Sequence, residues 1–156
     1  MVLVDAVAIA PWCTPFSQLV KDNLHVFQAI PGYVYDAMLA AHLRSAIHKE
    51  MGDLELEPYV KPWRGEEGQA AYFRAVAEYD DKYTLEIEPQ YMDIDIPVLV
   101  MWGEQDAWLP LETGKRLGRI IPNAQFEAIP NAGHFSPEDA PEFVAKHIGE
   151  FLHRER

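Results

Sequence analysis

The sequence predicts an α/β protein: a partial parallel sheet of about three strands with flanking helices and an inserted helical block. Three observations carry that expectation. PVLVMWG at 97–103 is an apolar run entered by proline and closed by glycine, the pattern of a strand covered on both faces. The opening VLV at 2–4, reaching as far as residue 9, has the same character, and QFEAI at 125–129 adds a third short strand. Segments of helical spacing lie between them, and buried strands alternating with helices imply parallel pairing.

Taken in order, the first strand reads as a central one, ended by the two prolines of PWCTPF at 11–16. SQLVKDNLHVFQAI then sets Leu19, Val20, Leu24, Phe27 and Ile30 near helical spacing, with Ser17 as N-cap. Pro31-Gly32 breaks that helix. A second stripe follows at Val34, Met38, Leu39, Leu43 and Ile47. Residues 52–68 mix three glycines and two prolines with charges and read as an irregular loop. A third helix at about 67–83 and an acidic connection at 84–96 lead to the second strand. LETGKRLGRII reads as a helix stopped by Pro122-Asn123. The C-terminal helix is expected to start with Ser136 as cap and Pro137 at its first position, with Pro141 kinking or delaying its first turn. Its apolar stripe is Phe143, Val144, His147, Ile148, Phe151 and Leu152.

Composition bounds the function. Of 156 residues 49% are apolar, 25 are Asp or Glu and 13 are Lys or Arg, a net charge of −12. That suits one soluble folded unit rather than a disordered chain, and it argues against a nucleic-acid partner, because phosphate binding needs a basic face. Residues 53–95 concentrate the imbalance, with 12 acids and four bases, and read as a solvated acidic face. A single Cys13 cannot form an intrachain disulfide and fits a reducing, cytoplasmic compartment. MVLVDAVAIAPW has the apolarity of a secretory signal but no basic residue before Lys21, and it carries Asp5, so it is read as a strand. No apolar stretch approaches the ~20 residues that span a bilayer.

In an open α/β sheet, functional groups collect in loops beyond the carboxyl ends of the strands. Two such loops are legible, WGEQDAW and PNAGHF, and a right-handed crossover brings both to one edge. Asp106 lies four residues past Trp102 and His134 five past Ile129, so neighbouring strands would let the carboxylate reach the imidazole. An Asp on one ring nitrogen fixes the tautomer and leaves the other free to take a proton. Gly103 and Gly133 are expected to let these loops turn sharply. The competing expectation makes Asp106 a cap for the helix at Leu111 and His134 a surface turn residue. Asp5, near the end of the first strand, reads by default as a strand-end acid satisfied by backbone donors; Cys13 is a weak candidate nucleophile without a strand-turn-helix elbow. His42 and His48 fall on different helical faces and do not make a metal pair, and His25 stands apart. Trp12, Trp63, Trp108, Phe16, Phe27 and Phe73 could line an apolar pocket, with core packing the default for most. No dinucleotide or phosphate-loop motif is present, so no cofactor is implied.

IPVLVMWGEQDAWLP followed by IPNAGHFSPEDAPEFVAKHIGEFL resembles the C-terminal half of the α/β-hydrolase family, in which P-V-L-x-x-x-G-x-x-D-x-x-x-P carries the triad acid and a following G-H the triad histidine. The resemblance implies that Asp106 and His134 are acid and base, with Asp5, where some members place the acid, as the second candidate. Residues 1–10 and 94–156 would belong to the hydrolase core and residues 11–93 to a helical cap. It also implies what this chain lacks: the first strands, the oxyanion loop and the nucleophile elbow G-x-S-x-G or its Asp counterpart. None of Ser17, Ser45 or Ser136 sits in such a motif. The expected function is therefore the acid-base half of a small-molecule hydrolase cleaving an ester, amide, epoxide, carbon-halogen or carbon-carbon bond, inactive alone. The alternative is a truncated or pseudoenzyme fragment serving as an assembly or binding module. Strand 2–9, apolar on both faces, is expected to be covered by the absent half or by a second copy of the chain.

Overall fold

Three strands, β1 (Val2–Val4), β2 (Val98–Gly103) and β3 (Ala124–Ile129), form one parallel sheet in the order β1-β2-β3. Val2 pairs with Leu99 and Val4 with Met101, while Val98 pairs with Ala124 and Gly103 with Ile129. The computed structural model describes residues 1–154. All six residues of β2 are buried, so β2 is the central strand. Among the described residues β1 pairs with β2 alone and its side chains are half-buried, so one flank of the strand is left unpaired. The strand stops at Val4, because Asp5 takes a left-handed φ of 43° that no strand continues.

The described residues divide into two compact units. One contains the sheet: Met1–Trp12, Ala46–Lys49 and the chain from Lys82 onward. Alternation along β2 sorts its core into two layers. Val98, Val100 and Trp102 pack with Ile9, Leu109, Leu117 and Ile121, the last three brought by α7 (Leu111–Ile120) and its flanks. Leu99 and Met101 point the other way, into Ile129, Ala132, Val144 and Phe151. Val144 and Phe151 come from α9 (Pro141–Arg154), seven residues apart and so on one helical face.

The acidic segment at 84–96 is more ordered than a connection. It holds α6 (Lys82–Leu85) and a 3-10 turn at Glu88–Asp93. Glu88 accepts the Ala10 N–H at 2.5 Å, Tyr91 donates its hydroxyl to Ala8 O, and Trp12 Nε1 donates to Thr84 Oγ1 at 3.1 Å. These bonds fasten the stretch that follows β1.

The second unit is Cys13–Ser45 with Glu50–Asp81. Its first helix splits in two, α1 (Pro15–Asp22) and α2 (Leu24–Gln28). Thr14, not Ser17, is the cap of α1: Pro15 needs no N–H partner at the first position, and Thr14 Oγ1 accepts from Ser17 N at 3.2 Å. α3 (Gly32–Arg44) follows as expected, but ends before Ile47 and His48. The predicted loop at 52–68 is mostly helical, with α4 (Asp53–Val60) and a 3-10 turn at Lys61–Trp63. Glu55 anchors the start of α4 by accepting Gly52 N–H at 2.9 Å, Leu56 and Val60 are buried four residues apart, and Pro58 lies on the exposed face. α5 (Gly65–Ala77) ends well short of residue 83. Asp80 and Asp81 leave the helical path to meet Lys21 Nζ at 3.3 Å and Cys13 N–H at 3.0 Å.

No described helix is long and apolar enough to cross a membrane. The layer on α9 yields a stability contrast between neighbours. Phe151 is 1% exposed and Leu152 51% exposed. Urea unfolding should show Phe151→Ala costing about 3–5 kcal/mol and Leu152→Ala less than about 0.5 kcal/mol; equal losses would contradict the packing of Phe151 beneath β2.

Candidate active site

β2 and β3 run parallel and in register to their last residues, so the loops after Gly103 and Ile129 leave the sheet side by side. Their backbones are tied directly. Glu104 N–H donates to Ile129 O at 3.0 Å and Gln105 N–H to Ala132 O at 2.9 Å, and the Gln105 side chain returns the bond by accepting from Ala132 N at 3.0 Å. Gly103 and Gly133 serve a purpose other than the sharp turns expected of them. Neither has a positive φ; a Cβ on Gly103 would overlap the carbonyls of Ala132 and Gly133, and one on Gly133 would come within 2.6 Å of Ala46 O. Closeness of backbone to backbone excludes a side chain here.

This frame brings the two predicted residues together. His134 Nδ1 lies 2.8 Å from Asp106 Oδ2. Asp106 Oδ1 accepts two more bonds, from Trp108 N–H and Leu109 N–H, both at 2.8 Å. The Asp106 side chain has 0% exposure and that of His134 12%. A carboxylate only accepts, so the proton in this contact sits on Nδ1 and Nε2 is the nitrogen not engaged by Asp106. Asp106 thus does what its competing reading required, bonding backbone at the approach to α7, and binds the imidazole as well. The Trp108 ring lies over His134 with centroids 5.1 Å apart.

The other candidates scatter. Asp5 is buried, accepting Gly103 N–H at 2.7 Å and the Ser136 hydroxyl, and does not hold the imidazole. Ser136 is accordingly not an N-cap. Phe135 occupies that position before the short α8 (Ser136–Asp139), and Pro141 opens α9 as a separate helix instead of kinking one. Phe16, Phe27 and Phe73 pack in the helical unit, with Phe27 and Phe73 centroids 5.2 Å apart and Trp63 edge-on to Tyr72 at 5.6 Å. His42 stacks on Phe16 at 4.6 Å and burial lowers its pKa, while His25 lies on α2 and His48 in the Ala46–Lys49 segment. Burial pushes the Cys13 thiol up, away from the thiolate a nucleophile needs. Among the described residues no group of His, Cys, Asp and Glu is arranged to hold a metal.

Asp139 was missed by sequence reading. Its Oδ2 accepts Gly133 N–H at 2.7 Å and His48 N–H at 2.9 Å, and its Oδ1 accepts Lys49 N–H at 2.9 Å. Phe135 N–H adds a bond to Ala46 O at 2.9 Å. The residues flanking His134 are therefore fastened to a segment about 90 positions earlier, a partner no local spacing reveals.

Burial raises the Asp5 carboxyl from 3.8 to about 6, with Gly103 N–H and the Ser136 hydroxyl pulling it down, Asp106 pushing it up and His134 opposing that push. The folded state thus holds the Asp5 proton more tightly than the unfolded one. Its contribution to stability is full below about pH 4 and is lost as pH rises through about 6. Asp5→Asn, which cannot ionise, should gain on the unsubstituted protein between pH 4 and 7 by on the order of 2–3 kcal/mol in urea unfolding; a pH-independent difference would show that Asp5 does not titrate in this window.

Comparison with known proteins agrees with this architecture. A family model described as alpha/beta hydrolase fold matches residues 1–141. The uncharacterized hydrolase YugF of Bacillus subtilis is 30% identical over 122 residues, 78% of this chain and 42% of that protein. The 2-hydroxy-6-oxononadienedioate/2-hydroxy-6-oxononatrienedioate hydrolase of Paraburkholderia phymatum is 35% identical over 60 residues, 38% of this chain and 21% of that protein. An alpha/beta hydrolase fold protein from Burkholderia ambifaria superposes with a TM-score of 0.90 at 37% identity, covering 94% of this chain and 54% of that one. The chain spans about half the length of such relatives. With three parallel strands in register, helices on both faces and a match running from the first residue to the start of the last helix, the chain belongs to the α/β-hydrolase fold family.

Proposed function

We propose that this chain is the acid-base portion of a hydrolase acting on a small molecule, with Asp106 orienting His134 and His134 serving as general base. The carrying observation is the 2.8 Å approach of His134 Nδ1 to Asp106 Oδ2 at the ends of adjacent parallel strands. Asp106 is held on its other oxygen by two backbone N–H groups, so its orientation toward the imidazole is fixed. It sets the His134 tautomer and stabilises the imidazolium that forms when Nε2 takes a proton from a nucleophile or water. The nucleophile and oxyanion donors come from outside these 156 residues. No elbow motif occurs in the sequence, and the match covers only 54% of the Burkholderia ambifaria protein.

Two further assignments belong to this proposal. Residues 11–93, most of which fall in the helical unit Cys13–Ser45 with Glu50–Asp81, are the helical cap of such a hydrolase. The free edge of β1 is covered by the nucleophile-bearing portion or by a second copy of the chain; β1 pairs on one side only among the described residues. With one cysteine and no phosphate-loop motif, a cytoplasmic enzyme without cofactor is the assignment that fits.

The chain alone should hydrolyse p-nitrophenyl acetate no faster than its His134→Ala variant. Fused behind the portion of the Burkholderia ambifaria protein that the match leaves uncovered, it should gain esterase activity, which Asp106→Asn and His134→Ala each reduce by about 10³–10⁴ in kcat. Activity of the fusion indifferent to both substitutions would rule out the assigned roles and favour a binding module.

A further inference from the structure

Asp5 is a buried acid whose carboxylate the acid-base step does not use. We propose that it is a positioning residue for the Asp106–His134 pair, bracing the two loops that carry it through the Gly103 N–H on one side and the Ser136 hydroxyl on the other. This rests on the pair being acid and base. Gly103 is the last residue of β2, three before Asp106, and it donates to Asp5 Oδ1 at 2.7 Å. Ser136 opens α8 two residues after His134, is fully buried, and donates to Asp5 Oδ2. One side chain thus joins the ends of β1 and β2 to the segment following the histidine.

The backbone is bent to aim that side chain. Asp5 adopts φ 43°, uncommon outside glycine, while its N–H still completes the β1-β2 ladder by donating to Met101 O at 3.0 Å. Asp5 is 6% exposed, and a buried carboxyl is costly unless its oxygens are bonded, so an apolar residue would fill the same space more cheaply. What only an acceptor provides is a grip on both loops. Across the sheet edge, Gln105 and Ala132 tie the loops at their other margin, and Asp139 fixes Gly133. Asp5 supplies the remaining side, and its carboxyl feels both Asp106 and His134 electrostatically.

Loosening of the pair is readable without turnover. The His134 Nδ1 proton, bonded to Asp106, gives a low-field NMR resonance whose solvent exchange reports opening of that contact. The Val100 amide in β2 serves as the reference for global opening. Asp5→Ala and Ser136→Ala should speed exchange at His134 by about tenfold or more, with Val100 changed less than about threefold. Asp5→Asn retains an acceptor and should stay within about threefold of the unsubstituted protein. Equal acceleration at His134 and Val100, no acceleration in either deletion variant, or Asp5→Asn exchanging as fast as Asp5→Ala would each overturn the proposal. Ser136→Ala removes a single oxygen and decides the matter should Asp5→Ala not fold. Failure of the acid-base roles would appear in the esterase fusion and leave this exchange comparison unaffected.

Discussion

A carboxylate with no exposed surface must be given donors from the protein, and the site is organised around meeting that demand for Asp106. Its three acceptor contacts come from two backbone N–H groups of its own loop and one ring N–H from the next loop. The first two are local and form whenever the loop folds tightly. The third requires that two strands finish level with one another, because an imidazole reaches only a few ångströms beyond its Cα. Parallel pairing of β2 and β3 through Gly103 and Ile129 satisfies that requirement. The central burial of β2 in turn fixes the pairing, since a one-residue slip would exchange the side chains packed on α7 for those packed on α9.

The same logic recurs with two other carboxylates. Asp5 and Asp139 use their oxygens to collect donors from distant segments, Gly103 and Ser136 in one case, Gly133, His48 and Lys49 in the other. A chain of net charge −12 has acids to spare for water. These two act as cross-links between segments far apart in the chain, Asp5 buried and Asp139 half-buried. Exposed pairs such as Arg64–Glu57 and Lys115–Glu112 add little by comparison, because solvent screens them.

Legibility in the sequence followed the range of the interaction. β2, α3 and α7 were readable because their apolar period is set by the face they bury. Asp106 and His134 were readable because each follows its strand at a short, matched distance. The helix at Asp53–Val60 was not, since its glycine, proline and charges look like loop, and only Leu56 and Val60 mark a buried face. Ser136 looked like a cap because Ser-Pro at a helix start usually is one; its hydroxyl is instead taken by an acid 131 positions away. Asp139 gave no signal, as its donors are backbone N–H groups, which every residue but proline carries.

By itself the sequence determined the class of the fold, the order of the three strands, and the two residues that meet at the sheet edge. These rest on local periodicity and on connections whose handedness is fixed by the chirality of the chain. Tertiary structure decided which strand lies at the centre, where the helices break, and which acids serve the site and which serve solvent. Burial and hydrogen-bond supply depend on segments brought together from opposite ends of the chain, and no window of sequence contains both partners.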